Sequence, residues 1–136
     1  AKDYSGIEFY DYTKRPEFIA RKIQGDWPAN YSLCYSYSER ADASLARLFL
    51  ELGGSVSMVF DTEYHPQSGK IGQLPKTAMI DGKRFRVIEG DTHDLRHPRF
   101  DKPGTIVGLR FKGSRKLLDQ AIRRGFVRAT RKRRAA

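Results

Sequence analysis

The sequence predicts an α/β fold: a small, mostly parallel five-stranded sheet, or half of a (β/α) barrel, with three helices and a basic C-terminal tail. Short apolar segments typical of strands alternate with segments whose apolar residues recur at the helical period. The connections are short, and strand–helix–strand units with short connections pair their strands in parallel. We expect one domain over residues 1–128 and a flexible tail over residues 129–136.

The first half of the chain alternates strands with helices. Strands are predicted at Gly6–Asp11, at Tyr31–Tyr37, where apolar and polar residues alternate most clearly, and at Ser55–Phe60. Between the first two, Pro16 suits the first position of a helix and Gly25 suits its end.

The second helix is expected to begin after Ser38 or Asp42, either of which can cap it, and to end at Gly53-Gly54. Its apolar residues recur at i, i+3, i+4 and i+7, which predicts a buried face. The members of that face are Leu45, Leu48, Phe49 and Leu52.

The second half begins with a less regular segment, Pro66–Lys83, that has room for one short hairpin but no crossover helix. Strands then follow at Val87-Ile88 and Thr105–Leu109. Ser114 can cap a last helix that ends at Gly125, and its apolar face is Leu117, Leu118, Ala121 and Ile122. Phe126-Val127 can add a short strand.

Composition places the chain among folded domains of a reducing compartment. It has 136 residues, 39% of them hydrophobic, and no apolar run near the roughly 20 residues that a membrane helix needs. Its single cysteine, Cys34, cannot form an internal disulfide, as is typical of cytoplasmic proteins. A strand pattern starts within a few residues of Ala1, as it would in a fragment or a processed product.

The positive charge lies at the C-terminal end. The formal net charge is +10, yet residues 114–136 carry nine Lys/Arg and one Asp, and residues 1–113 carry seventeen Lys/Arg and fifteen Asp/Glu. Such a segment predicts a polyanionic partner, either nucleic acid or a ribonucleoprotein, although a solubilising end would look the same. The residues predicted to bind it are Arg115, Lys116, Arg123, Arg124, Arg128, Arg131, Lys132, Arg133, Arg134 and Lys112.

Polar residues follow the end of every predicted strand. If the strands are parallel, the residues that follow their ends, which we call the exits, lie along one edge of the sheet, the rim. This is the edge at which α/β folds place their functional sites. The exits include Lys14, Glu39, Asp61, Asp91 and Lys112.

Carboxylates and imidazoles at alternate positions in two of these exits could hold a divalent metal, as nucleases do. They could equally be solvated loop residues, and no established metal-binding spacing supports a metal. The candidate ligands are Asp61, Glu63, His65, Asp91, His93 and Asp94.

Aromatic residues are concentrated in the first two strands. Any that face a rim could stack on nucleobases, whereas those that face the core only pack. They are Tyr4, Phe9, Tyr10, Tyr12, Tyr31, Tyr35 and Tyr37. Cys34 lies in the middle of a strand and is expected to be buried. The glycines of Gly104–Gly108 lie in and beside a strand, so we expect close backbone contacts there rather than a phosphate loop.

Several motifs together resemble a family of phage and prophage proteins of the gene-product-eighty-eight type. They occur in the same order over nearly the whole chain: FYDYTK, NYSLCYSYSE, a strand ending in VFD, LPKT, and VIEGD–HDLR–PGTIVGLRFKG. Where the family tends to have DGD, this chain has Glu89-Gly90-Asp91, and the Arg-rich end is its own. The resemblance implies the fold and a phage-related origin, and hence the cytoplasm of a host bacterium.

The resemblance implies no activity and no metal. Longer members of the family carry an additional N-terminal half with a cysteine-rich segment, and the two halves together resemble a barrel. Nothing in this sequence matches that half. Any metal or cluster held by those cysteines is therefore not implied for this chain.

Three hypotheses about function remain open. The first is binding of nucleic acid or a nucleoprotein through the C-terminal helix and tail. The second is a metal-dependent phosphodiester hydrolase at the rim. The third is an inhibitor or structural partner of a host protein, with the half barrel completed by dimerisation or by a missing N-terminal half. We expect self-association or packing on a partner at the Gly6–Asp11 edge, where Ile7 and Phe9 lie.

Overall fold

The computed structural model describes residues 6–91 and 103–130. Its helices are α1 (Pro16–Ile23), α2 (Ala43–Glu51) and α3 (Arg115–Arg123), with a 3-10 turn at Pro66–Ser68. Its strands are β1 (Phe9–Thr13), β2 (Tyr31–Ser36), β3 (Ser55–Phe60), β4 (Tyr64–His65), β5 (Lys70–Ile71), β6 (Thr77–Ile80), β7 (Lys83–Glu89), β8 (Ile106–Arg110) and β9 (Val127–Arg128).

The main sheet has the strand order β1-β2-β3-β8-β7-β6, with β9 paired to β3. Strands β1, β2, β3, β8 and β7 run parallel, whereas β6 is antiparallel to β7 at the far edge. The five parallel strands are the five predicted from the sequence, and the α/β fold with three helices is confirmed. A separate two-stranded ribbon is formed by β4 and β5.

Strand β9 lies beside the end of β3. Its pairs are Val59 with Val127 and Phe60 with Arg128. Strand β8 already pairs with β3 from Val56 to Phe60 on one side, so β9 must lie on the side of β2. Strand β2 pairs with β3 only at residues 55–57, so the last residues of β3 on that side are open to pairing with β9.

The sheet is strongly curved. The Arg128 Nη1 atom, on β9, donates to the carbonyl oxygen of Met79, on β6, at 3.0 Å. In the strand order these two strands are far apart: β9 lies on one side of β3, and β6 lies on the other side, beyond β8 and β7. Neighbouring strands are about 4.8 Å apart, so in a flat sheet this distance would exceed the reach of an arginine side chain. The two regions therefore approach each other across a bend in the sheet.

Helices α1 and α2 contact each other and cover one face of the sheet, with the core between them and the strands. The side chain of Asp42 caps α2 by accepting from Leu45 N at 3.1 Å. The buried residues of α2 are Ala46, Phe49 and Leu50.

The predicted apolar face of α2 was therefore wrong in part. Leu48 is 44% exposed and Leu52 is 62% exposed. The helix ends at Glu51, so Leu52 is only its C-cap, and the buried stripe passes through the small Ala46, which lets the helix approach the sheet closely.

The segment Pro66–Lys83 contains more regular structure than was predicted from the sequence. Strand β6 pairs with β7 through a two-residue turn in which Asp81 (φ 50°) and Gly82 (φ 76°) are both left-handed. An Asp-Gly pair between alternating apolar residues is a strong signal for this hairpin turn, and it was present in the sequence.

The β1 edge of the sheet exposes apolar surface, since Ile7 is 51% exposed. Self-association through this edge stays a prediction. Within the described ranges, no helix has the length and apolar character needed to cross a membrane. Cys34 is buried in β2, as predicted.

Candidate nucleic-acid interface

The ends of the five parallel strands lie along one edge of the sheet, which we call the carboxyl edge. Lys14 follows β1, Glu39 follows β2, Asp61 follows β3, and Lys112 follows β8. Asp91 follows β7. The geometry of parallel pairing thus brings these exits to the same side of the molecule.

A buried arginine organises the part of this edge formed by β7 and β8. Arg110 is in phase with Ile106 and Gly108 on β8, and only 5% of its surface is exposed. Its Nη1 and Nη2 atoms donate to the two carboxylate oxygens of Glu89 at 2.8 and 2.7 Å, and Nη1 also donates to Asp91 Oδ2 at 2.8 Å. Its Nε atom donates to the carbonyl oxygen of Gly72 at 2.8 Å.

Glycine at position 90 allows the two carboxylates to converge on Arg110. A Cβ atom on Gly90 would lie 2.7 Å from the carbonyl oxygen of Gly108. Gly90 N donates to that same oxygen at 2.9 Å, so the backbone is held close to β8. The Arg110 guanidinium, by hydrogen bonding, lowers the pKa of Glu89 from its ordinary value.

The cluster is balanced in charge. Lys112 Nζ pairs with Asp91 Oδ1, so two cations face two carboxylates. The Asp91 side chain is only 4% exposed, so the expectation of a solvated loop residue was wrong for Asp91. The hydrogen bonds of Arg110 thus join β7, β8 and the loop at Gly72. Because protein cations bind both oxygens of Asp91, no carboxylate oxygen of Asp91 is free.

The remaining predicted metal ligands do not converge where the structure describes them. Asp61 Oδ1 accepts from Thr130 N at 2.9 Å and from Thr130 Oγ1 at 2.6 Å, and His65 is exposed on β4. Among residues 6–91 and 103–130, no group of three His, Cys, Asp or Glu residues could hold a metal ion. His93 and Asp94 lie outside the described residues, so the metal site stays a prediction.

Helix α3 gathers four of the predicted nucleic-acid-binding residues. Ser114 caps it by accepting from Leu117 N at 3.3 Å. At 3.6 residues per turn, Arg115, Lys116 and Arg123 fall within about 100° of the helix circumference, and the C-cap Arg124 extends this sector to about 180°. All four are exposed. We call this surface the α3 basic face; Asp119 lies within it.

Three arginines in or beside α1 and α2 are paired with carboxylates, whereas among the described residues no carboxylate pairs with the cations of the α3 basic face. Arg15 pairs with Glu17, Arg21 with Asp26, and Arg47 with Glu51. No such pair joins Arg115, Lys116, Arg123 or Arg124 to a carboxylate of the described ranges. Four exposed cations and one acid, Asp119, on one side of a helix leave a net positive charge that attracts polyanions.

The end of α3 is fixed to the carboxyl edge. The Lys14 Nζ atom lies 5.4 Å from the centre of the Phe126 ring, which follows the helix. Val127 is 3% exposed, and Thr130 is bonded to Asp61. The helix itself has no buried residue, and Leu117 is 54% exposed. α3 is thus held mainly at its C-terminal end, and its basic face is accessible.

The other predicted binding residues are placed differently. Lys112 pairs with Asp91 and remains 49% exposed, whereas Arg128 donates to Met79 O. Arg131, Lys132, Arg133 and Arg134 lie outside the described residues. The structural role of Arg110 was not predicted from the sequence, although strand alternation places Arg110 in phase with the buried Ile106.

Comparison with known proteins gives a family. No curated protein and no solved structure matches the chain. The family of Gene product 88 matches over residues 1–130, which covers nearly the whole chain and agrees with the resemblance seen in its motifs. The chain therefore belongs to the Gene product 88 family.

Proposed function

We propose that this phage-type protein binds nucleic acid, free or within a nucleoprotein, through the α3 basic face and the basic segment that follows Thr130. The observation that supports the proposal is the set of four exposed cations clustered on one side of α3, none of them paired with a carboxylate of residues 6–91 or 103–130. Arg15, Arg21 and Arg47 are each paired with a nearby acid, whereas these four cations share one helix with a single acid, Asp119, so positive charge is concentrated on this helix. A phosphate backbone would neutralise it.

The chemistry of the surface indicates how it recognises its partner. Arginine and lysine side chains on an exposed helix meet phosphate oxygens and release the counterions condensed around them. Phosphate contacts position a protein but carry no sequence information. The proposed binding is therefore strongly salt-dependent and nearly independent of sequence.

No observation in the described residues favours either alternative over this proposal. The hydrolase hypothesis needs a metal, and Asp91, one of its six candidate ligands, is bound to Arg110 and Lys112. The partner-protein hypothesis rests on the exposed β1 edge, which does not indicate what would cover it.

The test is a charge variant of α3 with a matched control. In the α3 variant, Arg115, Lys116, Arg123 and Arg124 are changed to Gln, which keeps a good helix former at each position. In the control variant, Lys70, Lys76, Arg84 and Arg86 are changed to Gln. These four are also exposed but lie on β5, beside β6, and on β7, so the net charge of the two variants is equal.

Binding of a fluorescent 20-nucleotide single strand is measured by anisotropy over a range of salt concentrations. Each phosphate contact contributes about −0.7 to the slope of log K against log salt, so the α3 variant should flatten that slope by about 3. The control variant should keep the wild-type slope. Equal slopes for the α3 variant and the wild type would contradict the proposal.

A further inference from the structure

Two tyrosines are exposed on the edge strand β1. Tyr10 is 41% exposed and Tyr12 is 39% exposed. They lie two residues apart and so share one face of the sheet. This is the face away from the core, because their partners on β2 are Ser32 and Cys34, whereas Leu33 and Tyr35 point to the core.

The residues beside the two tyrosines are small. Moving across this face from β1, one meets Ser32, Cys34 and Ser36 on β2 and then Ser57 on β3. None of these side chains is large enough to cover an aromatic ring in the neighbouring strand. Cys34 and Ser57 are themselves only 2% and 3% exposed, so the β2 and β3 part of this face is covered, and the exposed ring surface of Tyr10 and Tyr12 lies beside it on the edge strand.

The same face leads to α3. Lys14 continues the alternation of Tyr10 and Tyr12, and its Nζ atom lies over the Phe126 ring at 5.4 Å. Parallel crossovers are right-handed. Helix α1 connects β1 to β2, and α3 connects β8 to β9, which is a step across the sheet in the opposite direction. Since both crossovers have the same hand, α3 lies on the face of the sheet opposite α1. The tyrosines and the α3 basic face are thus on one side of the molecule.

We propose that the nucleic acid bound by this protein is single-stranded, with its backbone along the α3 basic face and its bases stacked on Tyr10 and Tyr12. This inference rests on the function proposed above. Bases stack on aromatic side chains regardless of sequence, and the phosphate backbone binds cations beside them. Two residues of a strand span about 6.7 Å, so each ring can take a separate base. Bases within a duplex are already stacked and unavailable.

The first test needs only the wild-type protein and three probes: a 20-nucleotide dT strand, the same backbone without bases, and a 20-base-pair duplex. Stacking contributes about 1–3 kcal/mol per base, so we expect the dT strand to bind at least 10-fold more tightly than the abasic strand and the duplex. A matching rU strand shows whether RNA is preferred over DNA. Equal affinity for the dT and abasic strands would overturn this inference and leave the proposed function standing. No binding of any probe would overturn both.

The second test uses variants of the two tyrosines. Tyr10→Val with Tyr12→Val keeps strand-forming residues but removes the rings, and Tyr10→Phe with Tyr12→Phe keeps the rings. The Val variant should weaken dT binding about 5- to 150-fold for each stacked base, with an unchanged salt slope because no phosphate contact is lost. The Phe variant should bind like the wild type. If the Val variant bound the dT strand as tightly as the wild type does, the stacking role of Tyr10 and Tyr12 would be excluded. If the Val variant does not fold, the comparison of dT and abasic strands with the wild-type protein decides whether bases are stacked.

Discussion

The guanidinium of Arg110 binds both carboxylate oxygens of Glu89, with Nη1 at 2.8 Å from Oε2 and Nη2 at 2.7 Å from Oε1. The arginine side chain is 4% exposed and the glutamate 38% exposed, so the pair lies at the boundary between the core and the carboxyl edge. Paired, bidentate bonds of this kind fix orientation as well as distance. The pair therefore sets the spacing of the β7 and β8 ends that precede α3.

Arg110→Met should lower the free energy of unfolding by about 3 kcal/mol, near the lower end of the 3–5 kcal/mol range for breaking a buried pair. The loss leaves Asp91 buried without one of its cations, while water can relieve the more exposed Glu89. Chemical denaturation measures the change. Arg115→Met on the exposed face of α3 is the control and should change stability by no more than about 0.5 kcal/mol. Similar effects for the two variants would mean that Arg110 is not structural.

Glu89→Gln should change the dependence of stability on pH. Hydrogen bonding to Arg110 lowers the pKa of Glu89 below its ordinary value of 4.5. A carboxylate with a depressed pKa stabilises the fold above pH 4.5, and that stabilisation is lost as the pH falls through the lowered value. The difference in unfolding free energy between wild type and variant should therefore be largest near neutral pH and shrink towards pH 3. A difference that stays constant with pH would contradict the assignment.

Asp91→Asn should destabilise the protein by about 1–3 kcal/mol, because the side chain is 4% exposed and loses charge-assisted bonds to Arg110 and Lys112. Since these cations already bind both of its oxygens, Mg²⁺ or Mn²⁺ should not raise the melting temperature of the wild type. A metal-dependent rise that the Asn variant lacks would instead support the metal site predicted from sequence.

The fold was predictable from local patterns that tertiary packing did not override. The cap at Asp42, the end of the first helix near Gly25 and the alternation of Tyr31–Tyr37 each depend on neighbouring residues alone. The buried stripe of α2 was less predictable, because Leu48 and Ala46 fit the helical period equally well. Contact with the sheet selected Ala46, and Leu48 remained exposed.

The polar cluster could be located from the sequence, but its role could not be determined. The sequence placed Asp91 at a strand exit without showing that Arg110, 19 residues later, would donate to it. Such a partner depends on the parallel register of β7 and β8, in which Glu89 pairs with Gly108. For α3, helical periodicity correctly placed the basic residues on the surface, where they need no tertiary partner. It was wrong for the apolar face predicted at Leu117, Leu118, Ala121 and Ile122, because the helix has no buried residue and Leu117 is 54% exposed.

Deletion of residues 131–136 should flatten the salt dependence of nucleic-acid binding without changing the melting temperature. The deletion removes Arg131, Lys132, Arg133 and Arg134, so the slope of log K against log salt should fall in magnitude by about 3 for a single strand. The cut falls after Thr130, and the bonds between Thr130 and Asp61 are kept. An unchanged slope would show that this segment does not contact phosphates.

The most direct test of the account is the salt dependence of wild-type binding to a single strand of mixed sequence. With four cations on α3 and four after Thr130, of which most meet phosphates, the slope of log K against log salt should lie between roughly −3 and −6. Strands of different sequence should give nearly the same slope. No measurable binding at low salt, or a slope near zero, would contradict the claim that this protein recognises a phosphate backbone.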